Sequence, residues 1–272
     1  MQSLKDLYRK ALQEAPSSFE AGELFRFVTG MPPAFDLDFP AAPAMEAALT
    51  RLLQARTSGY PLQYLLGEWE FYGLPLKVGP GVLIPRQDTE ALVDVALGIL
   101  KKSGKSNPEV VDLCSGSGCI AIALKHNFPE ANVTALEFSE KAHSYLEKNI
   151  AVNGVDVTAI LGDLRDYGHP ALADMIVSNP PYIPKGDFPK LQAEVSHEPV
   201  IALDGGEDGL VFFREIARCY RGQLAPGGHL LLEIGAGQQE SVAEILASYG
   251  FADIGTIKDL NGVIRVLVAI TP

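Results

Sequence analysis

Basic residues are scarce in this chain: 22 lysines and arginines stand against 34 aspartates and glutamates, a formal net charge of −12 over 272 residues. Such a surface repels phosphate polyanions and lacks the usual drive to hold long nucleic acid, so stable nucleic-acid binding is not expected. Cysteines number only 3 (Cys114, Cys119 and Cys219), an odd set without a framework of pairs, which points to reduced thiols. The 5 histidines, His126, His143, His169, His197 and His229, nowhere show the spacing of a zinc ligand set, so no metal is expected. No apolar run approaches the ~18 residues of a membrane span, and Met1-Gln2-Ser3-Leu4-Lys5-Asp6 has no basic stretch leading into an apolar one. Neither a span nor a signal peptide is expected, and a cytoplasmic location is. Internal repeats and low-complexity tracts are missing as well.

What the chain does have is the composition of an ordinary globular protein, 47% hydrophobic and 21% charged, with length for one large domain or two modest ones. Leu4, Leu7, Tyr8, Ala11 and Leu12 recur at helical spacing, predicting a helix from Ser3 to Glu14. A second helix follows Ser17-Ser18, with Phe19, Leu24, Phe25 and Val28 apolar and Gly30 at its end. After the proline-rich segment Met31 to Pro43, Met45, Leu49, Leu52 and Leu53 mark a third. From Glu68 the pattern changes to short strands and tight turns, with Trp69, Phe71, Leu74, Leu76 and Val78 set among Gly73, Pro75, Gly79 and Pro80.

Beyond Pro85 a helix from Asp88 to about Lys101 leads into alternating units. Strands are predicted at Glu109 to Leu113, Asn132 to Glu137, Val157 to Leu161, Asp174 to Ser178, His229 to Ile234 and Val263 to Ile270. Helices are predicted at Cys119 to His126, Glu140 to Asn153, Leu210 to Gln223 and Gln238 to Tyr249. This alternation implies an α/β fold with a doubly wound parallel sheet that takes its ligands at the carboxyl ends of the strands.

The strand Val110 to Leu113 runs into Cys114-Ser115-Gly116-Ser117-Gly118, and a helix opens directly afterwards. Glycines there allow a sharp turn and a close approach of a ligand to the helix N-terminus. Three readings stay open for this loop alone: a plain strand-to-helix turn, a dinucleotide site and an S-adenosylmethionine site. The next strand ends in Glu137, whose carboxylate can accept from both ribose hydroxyls of an adenosine, whichever cofactor carries it. After the third strand, Asp163 can accept from an adenine amino group while Leu164 offers the ring an apolar surface; an ordinary loop explains the pair equally well.

Asn179-Pro180-Pro181-Tyr182 selects among these chemistries. It follows a strand at the ligand-binding edge, and its two prolines stiffen the loop and remove competing N–H donors. A planar NH2 group keeps its lone pair conjugated, so a site that methylates it must hold it in the attacking orientation. The Asn179 side-chain oxygen and the Pro180 carbonyl can each accept one N–H, and Tyr182 can stack on the flat group. The motif points to methyl transfer onto a planar nitrogen, base or amide; a bare Asn-Pro turn is the plain alternative.

Segments outside that motif carry a resemblance. Gly67-Glu68-Trp69-Glu70-Phe71-Tyr72-Gly73-Leu74-Pro75-Leu76, Leu83-Ile84-Pro85-Arg86-Gln87-Asp88-Thr89-Glu90 and the stretch His197 to Leu210 are similar to the HemK/PrmC family. That family methylates the glutamine side-chain nitrogen in the Gly-Gly-Gln motif of class I peptide chain release factors. The resemblance spans nearly the whole chain. It implies a helical substrate-recognition domain (1–66), a β-hairpin linker (67–85) and a Rossmann-like S-adenosylmethionine methyltransferase domain (86–272) with a terminal antiparallel strand. It further implies that Cys114, Ser115, Gly116, Ser117 and Gly118 line the methionine and ribose portions of S-adenosylmethionine and that Glu137 holds the ribose. Asp163 and Leu164 flank the adenine, and Asn179, Pro180, Pro181 and Tyr182 bind the glutamine amide, with Asn179 also near the cofactor. A release factor is the implied partner of a monomeric enzyme.

Two positions depart from the family pattern. Cys114 stands where glycine is common, so the strand exit must either accept a negative φ or carry strain. Its thiol is read as a small buried group rather than a redox site. Leu164 replaces a frequent aromatic, keeping apolar contact with adenine and losing stacking. Arg86 to Glu90 reads as a helix start capped by Asp88 or Thr89 near the pocket, and His197 with Glu198 as the shape of a covering loop rather than an acid-base pair. The rivals are a ribosomal-protein glutamine methyltransferase, an adenine or guanine exocyclic-amine methyltransferase, and a nicotinamide oxidoreductase. The last leaves Asn179 to Tyr182 without a task.

Overall fold

The structure is a computed structural model that describes residues 3–33 and 37–272. Met1 and Gln2, in the segment read for a signal, and Ala34 to Asp36, in the proline-rich segment, lie outside the described residues. The chain forms two compact units, one of the described residues up to Glu68 with Gln192–His197, the other of Trp69–Leu191 with Glu198–Pro272.

The first unit is helical: α1 (Leu4–Glu14), α2 (Ser18–Thr29), α3 (Pro43–Thr57) and the short α4 (Leu62–Leu66). Ser3 caps α1 by accepting from Asp6 N at 3.2 Å, while the Asp6 carboxylate accepts in return from Ser3 N. Ser17 caps α2 by accepting from Glu20 N, without the return bond, and Gly30 ends the helix at φ +71°. The buried stripe of α1 is Leu4, Leu7 and Ala11. Leu12 and Phe19, predicted among the apolar faces, are exposed instead. At five residues α4 is too short for a helical period to show in sequence.

The second unit opens with a ribbon of β1 (Glu68–Phe71) and β2 (Leu74–Lys77), joined at Tyr72 and Gly73, both with positive φ, the geometry of a tight hairpin. Then come α5 (Glu90–Ser103), β3 (Glu109–Leu113), α6 (Cys119–Asn127), β4 (Asn132–Glu137), α7 (Glu140–Asn153), β5 (Val157–Leu161) and β6 (Ala173–Ser178). The chain finishes with α8 (Val211–Tyr220), β7 (Leu224–Glu233), α9 (Gln239–Ser248), β8 (Ala252–Lys258) and β9 (Ile264–Ile270). The seven-stranded sheet has the order β5-β4-β3-β6-β7-β9-β8. It is parallel except for β9, which runs antiparallel to both β7 and β8. Alternate residues of each strand feed opposite cores. Val110, Val133, Met175 and Leu231 pack with α5, α6 and α7, whereas Val111, Leu136, Ile176 and Leu230 pack with α8 and α9. The strand order reverses between β3 and β6, and a crevice for ligands opens at that point.

Three expectations need correction. The helix placed at Asp88 begins as a 3-10 turn, Gln87–Thr89, and becomes α-helical at Glu90. β7 starts at Leu224 rather than His229, because Pro226-Gly227-Gly228, which reads as a turn, is carried inside the strand. β8 was not foreseen: it is a bulged edge strand with mostly exposed residues, so no buried alternation marks it. Among the described residues, no helix is long and apolar enough to cross a membrane.

Candidate active site

Where β3 ends, the backbone turns left-handed at Cys114 (φ +58°), Gly116 (φ +56°) and Gly118 (φ +82°) before α6 begins. Of the two options that Cys114 left open, the structure takes the strained one. Desolvation, with Glu137 and Asp112 nearby, pushes the thiol of the half-buried Cys114 up, which favours its protonated form. Ser115 N donates to Leu136 O at 3.0 Å and Gly118 N to Ser115 O at 2.8 Å, which closes the loop against the end of β4. Asn149 of α7 donates to Ser117 O and accepts from Lys77 N, tying the loop to β2.

Glu137, the last residue of β4, is buried, and its carboxylate is held by two backbone amides. Oε2 accepts from Gly116 N and Oε1 from Ser139 N, both at 2.7 Å. Burial raises its pKa against the pull of these bonds. A cavity of about 290 Å³ lies in front of it. On its wall are Cys114, Ser115, Gly116, Ser117, Glu137, Asp163, Leu164, Asn179 and Pro181, drawn from the ends of β3, β4, β5 and β6. Gly118, Pro180 and Tyr182, named with them from sequence, are not on that wall. A Cβ built on Gly116 would meet nothing within 4 Å, so this side of the loop is bare backbone open to a ligand. Asp163 is already engaged: Arg165 binds both its oxygens, and that bond holds its carboxyl below the usual range. Among the described residues, no group of His, Cys, Asp and Glu is arranged to hold a metal.

Asn179 and Pro181 face the cavity while Pro180 and Tyr182 do not, the alternation of an extended chain. Tyr182 instead donates its hydroxyl to Glu233 Oε1 at 3.3 Å. The segment from Leu203 to Gly209 braces this loop. Ile183 N donates to Leu203 O and Gly205 N to Ile183 O, each at 2.9 Å. A Cβ on Gly205 would lie 2.8 Å from Tyr182 Cα, so only glycine fits. Pro199, Ile201 and Ala202 line the cavity, whereas His197 packs its ring edge against Tyr60. The buried Glu198 accepts from Ile84 N and pairs with Arg86, so it holds structure in place.

The family described as a methyltransferase small domain matches residues 89–202. The chain is 41% identical over 219 residues to the release factor glutamine methyltransferase of Thermodesulfovibrio yellowstonii, covering 80% of this chain and 78% of that protein. It is 43% identical over 233 residues to the protein of the same name from Geobacter sulfurreducens, covering 85% and 81%. The chain belongs to the release factor glutamine methyltransferase family. Among solved structures, the T. thermophilus 16S rRNA N2 G1207 methyltransferase, in complex with AdoMet and guanosine, shares the fold. Its TM-score is 0.56 at 20% identity, over 75% of this chain and 50% of that one.

In this release factor glutamine methyltransferase family member, two site residues escaped the sequence reading. Thr89, named only as a helix cap, makes no capping bond; it lines the cavity and donates to Glu233 Oε2 at 2.5 Å. Glu233 had one visible sign: it is an acidic residue closing the apolar run Leu230-Leu231-Leu232 at the carboxyl end of a central strand.

Proposed function

We propose that this chain transfers the methyl group of S-adenosylmethionine to the side-chain nitrogen of the glutamine in the Gly-Gly-Gln motif of class I release factors. The observation that carries the reading is the joint placement of Glu137, the open Gly116 backbone and Asn179 around one cavity. The bound cofactor supplies an electrophilic methyl on a sulfonium. Ser115, Gly116 and Ser117 hold its methionine and ribose end, with Gly118 shaping the turn. Glu137 accepts from the ribose hydroxyls through the lone pairs left by its two backbone bonds. Leu164 covers one face of the adenine, and Asp163, still tied to Arg165, borders the amino edge.

Asn179 Oδ1 accepts one N–H of the glutamine amide at the cavity wall and the carbonyl of the adjoining Pro180, beside that wall, accepts the other, drawing the amide out of water and presenting the nitrogen face. Pro181 forms the adjoining wall, and Tyr182 anchors the loop from behind. No strong base is needed, since the surplus proton can leave after transfer. The helical segment 1–66 recognises the release factor, 67–85 links, and 86–272 performs the chemistry. The enzyme acts as a cytoplasmic monomer, and its charge of −12 favours a protein over a polyanion as substrate.

Incubation with methyl-labelled S-adenosylmethionine tests this, using in parallel a release factor, its Gln→Ala variant in the Gly-Gly-Gln motif, duplex DNA and ribosomal subunits. Label on the release factor alone is expected. Label retained by the Gln→Ala variant overturns the assignment.

A further inference from the structure

The Asn179 amide does not stand alone. Its Nδ2 donates to Thr89 Oγ1 at 3.2 Å, and Thr89 Oγ1 donates to Glu233 Oε2 at 2.5 Å. Thr89 is 1% exposed and Glu233 2%, so the bond between them is shielded from water, while Asn179 is half-buried at the cavity wall. The polarity of this chain follows from counting protons. An ionised carboxylate can only accept, and a hydroxyl has one hydrogen. Thr89 commits that hydrogen to Glu233 and has only lone pairs left for Asn179. The Asn179 amide must therefore turn its NH2 toward Thr89, which leaves Oδ1 for the cavity that Asn179 borders. Were the amide reversed, it would show two N–H donors to the substrate and draw in the glutamine carbonyl oxygen instead of its nitrogen.

We propose that Thr89 and Glu233 are positioning residues that fix the rotation of the Asn179 amide and so decide which end of a planar amide is presented for methylation. Glu233 is absent from the cavity wall and acts through Thr89. Its other oxygen takes the Tyr182 hydroxyl, so one carboxylate holds Tyr182 directly and Asn179 through Thr89. The inference rests on the reading that Asn179 Oδ1 accepts from the substrate amide.

The test uses the full chain with a release factor and S-adenosylmethionine, comparing the parent with Thr89→Val, Thr89→Ser, Glu233→Gln and Asn179→Ala. Four quantities are measured: kcat, KM for the release factor, cofactor affinity by calorimetry and melting temperature. Thr89→Val keeps the shape and removes the acceptor. Its kcat is expected to fall about 100-fold, the cost of misplacing a reacting group, with cofactor affinity and KM within about threefold of the parent. Thr89→Ser restores the hydroxyl and most of kcat. Glu233→Gln can donate to Thr89, so it scrambles the polarity and lowers kcat by about tenfold or more. If Glu233→Gln fails to fold, the two Thr89 variants decide.

A Thr89→Val enzyme within about threefold of the parent kcat overturns the inference, as does a Thr89→Ser enzyme as slow as Thr89→Val. Either result alongside an inactive Asn179→Ala leaves the amide-binding reading standing. An active Asn179→Ala sinks that reading and the inference together.

Discussion

Gly116 N donates to Glu137 Oε2 at 2.7 Å, so the loop after β3 and the tip of β4 are locked to each other through the carboxylate proposed to hold the ribose. Ser139 N takes the other oxygen at the same distance. Glu137→Gln can satisfy only one of these donors and sets its own NH2 against the other. An unmet buried donor costs about 1–3 kcal/mol. Calorimetry is expected to show cofactor affinity weakened by about tenfold or more, with a lower melting temperature. An unchanged affinity would remove Glu137 from the cofactor site.

Cys114 holds φ +58°, a left-handed conformation that costs an L residue about 1–2 kcal/mol. At an ordinary position, Gly is less stable than Ala by about 0.5–1 kcal/mol. Here the order should reverse, with Cys114→Gly more stable than Cys114→Ala in urea unfolding, because both lose the thiol and only glycine loses the strain. Finding Ala the more stable of the two would contradict the left-handed geometry.

Part of the fold and of the candidate site is legible in the sequence, and part is not. β3, β4, α7 and β5 have the predicted bounds because each is a continuous periodic segment with a clear stop, such as Gly154 after α7. Glu137 and Asn179 were readable because each directly follows or closes a strand at the sheet's ligand edge. Thr89 and Glu233 were not, since their meaning lies in a bond between residues 144 positions apart. Tyr182 was read as a stacking surface because tyrosine is planar. That its hydroxyl turns to Glu233 depends on the alternation of an extended loop, which the motif does not reveal. β8 has no legible pattern because an exposed edge strand needs none.

In the helical unit, Arg56 is buried with Glu20 on α2 and with Glu194. Its Nε donates to Glu20 Oε2 and one terminal nitrogen to Glu194 Oε1, both at 2.5 Å. Removing one member of a buried set leaves uncompensated charge. Glu194 is partly solvated, so the cost of Arg56→Ala is placed at about 2–3 kcal/mol, below the full range for buried pairs. Denaturant unfolding should show the loss, and Glu20→Gln combined with Arg56→Met should recover much of it. A single Arg56→Ala within about 0.5 kcal/mol of the parent would mean that the pair contributes nothing.

Glu233 sets the pH range in which the Asn179 orientation can hold. Burial pushes its carboxyl up to about 7, against the bonds from Thr89 and Tyr182 and the nearby Arg265, with Asp88 raising it further. Arg265 of β9 is itself paired with Asp88 and Asp259, and the Cys119 thiol of α6 lies within electrostatic reach. The supporting form is the ionised one, so its contribution is present above pH 7 and lost as pH falls through that value. Once protonated, Glu233 can donate to Thr89, whose hydrogen then becomes free to meet Asn179 Oδ1 and reverse the amide. The profile of kcat is therefore expected to be flat above neutrality and to drop below it by about tenfold or more to a lower plateau, the level that Glu233→Gln shows at every pH. Glu233→Gln cannot titrate, so its lower kcat should lose this acidic limb. If the limb persists unchanged in Glu233→Gln, another group carries it, and Glu233 does not govern the orientation of Asn179.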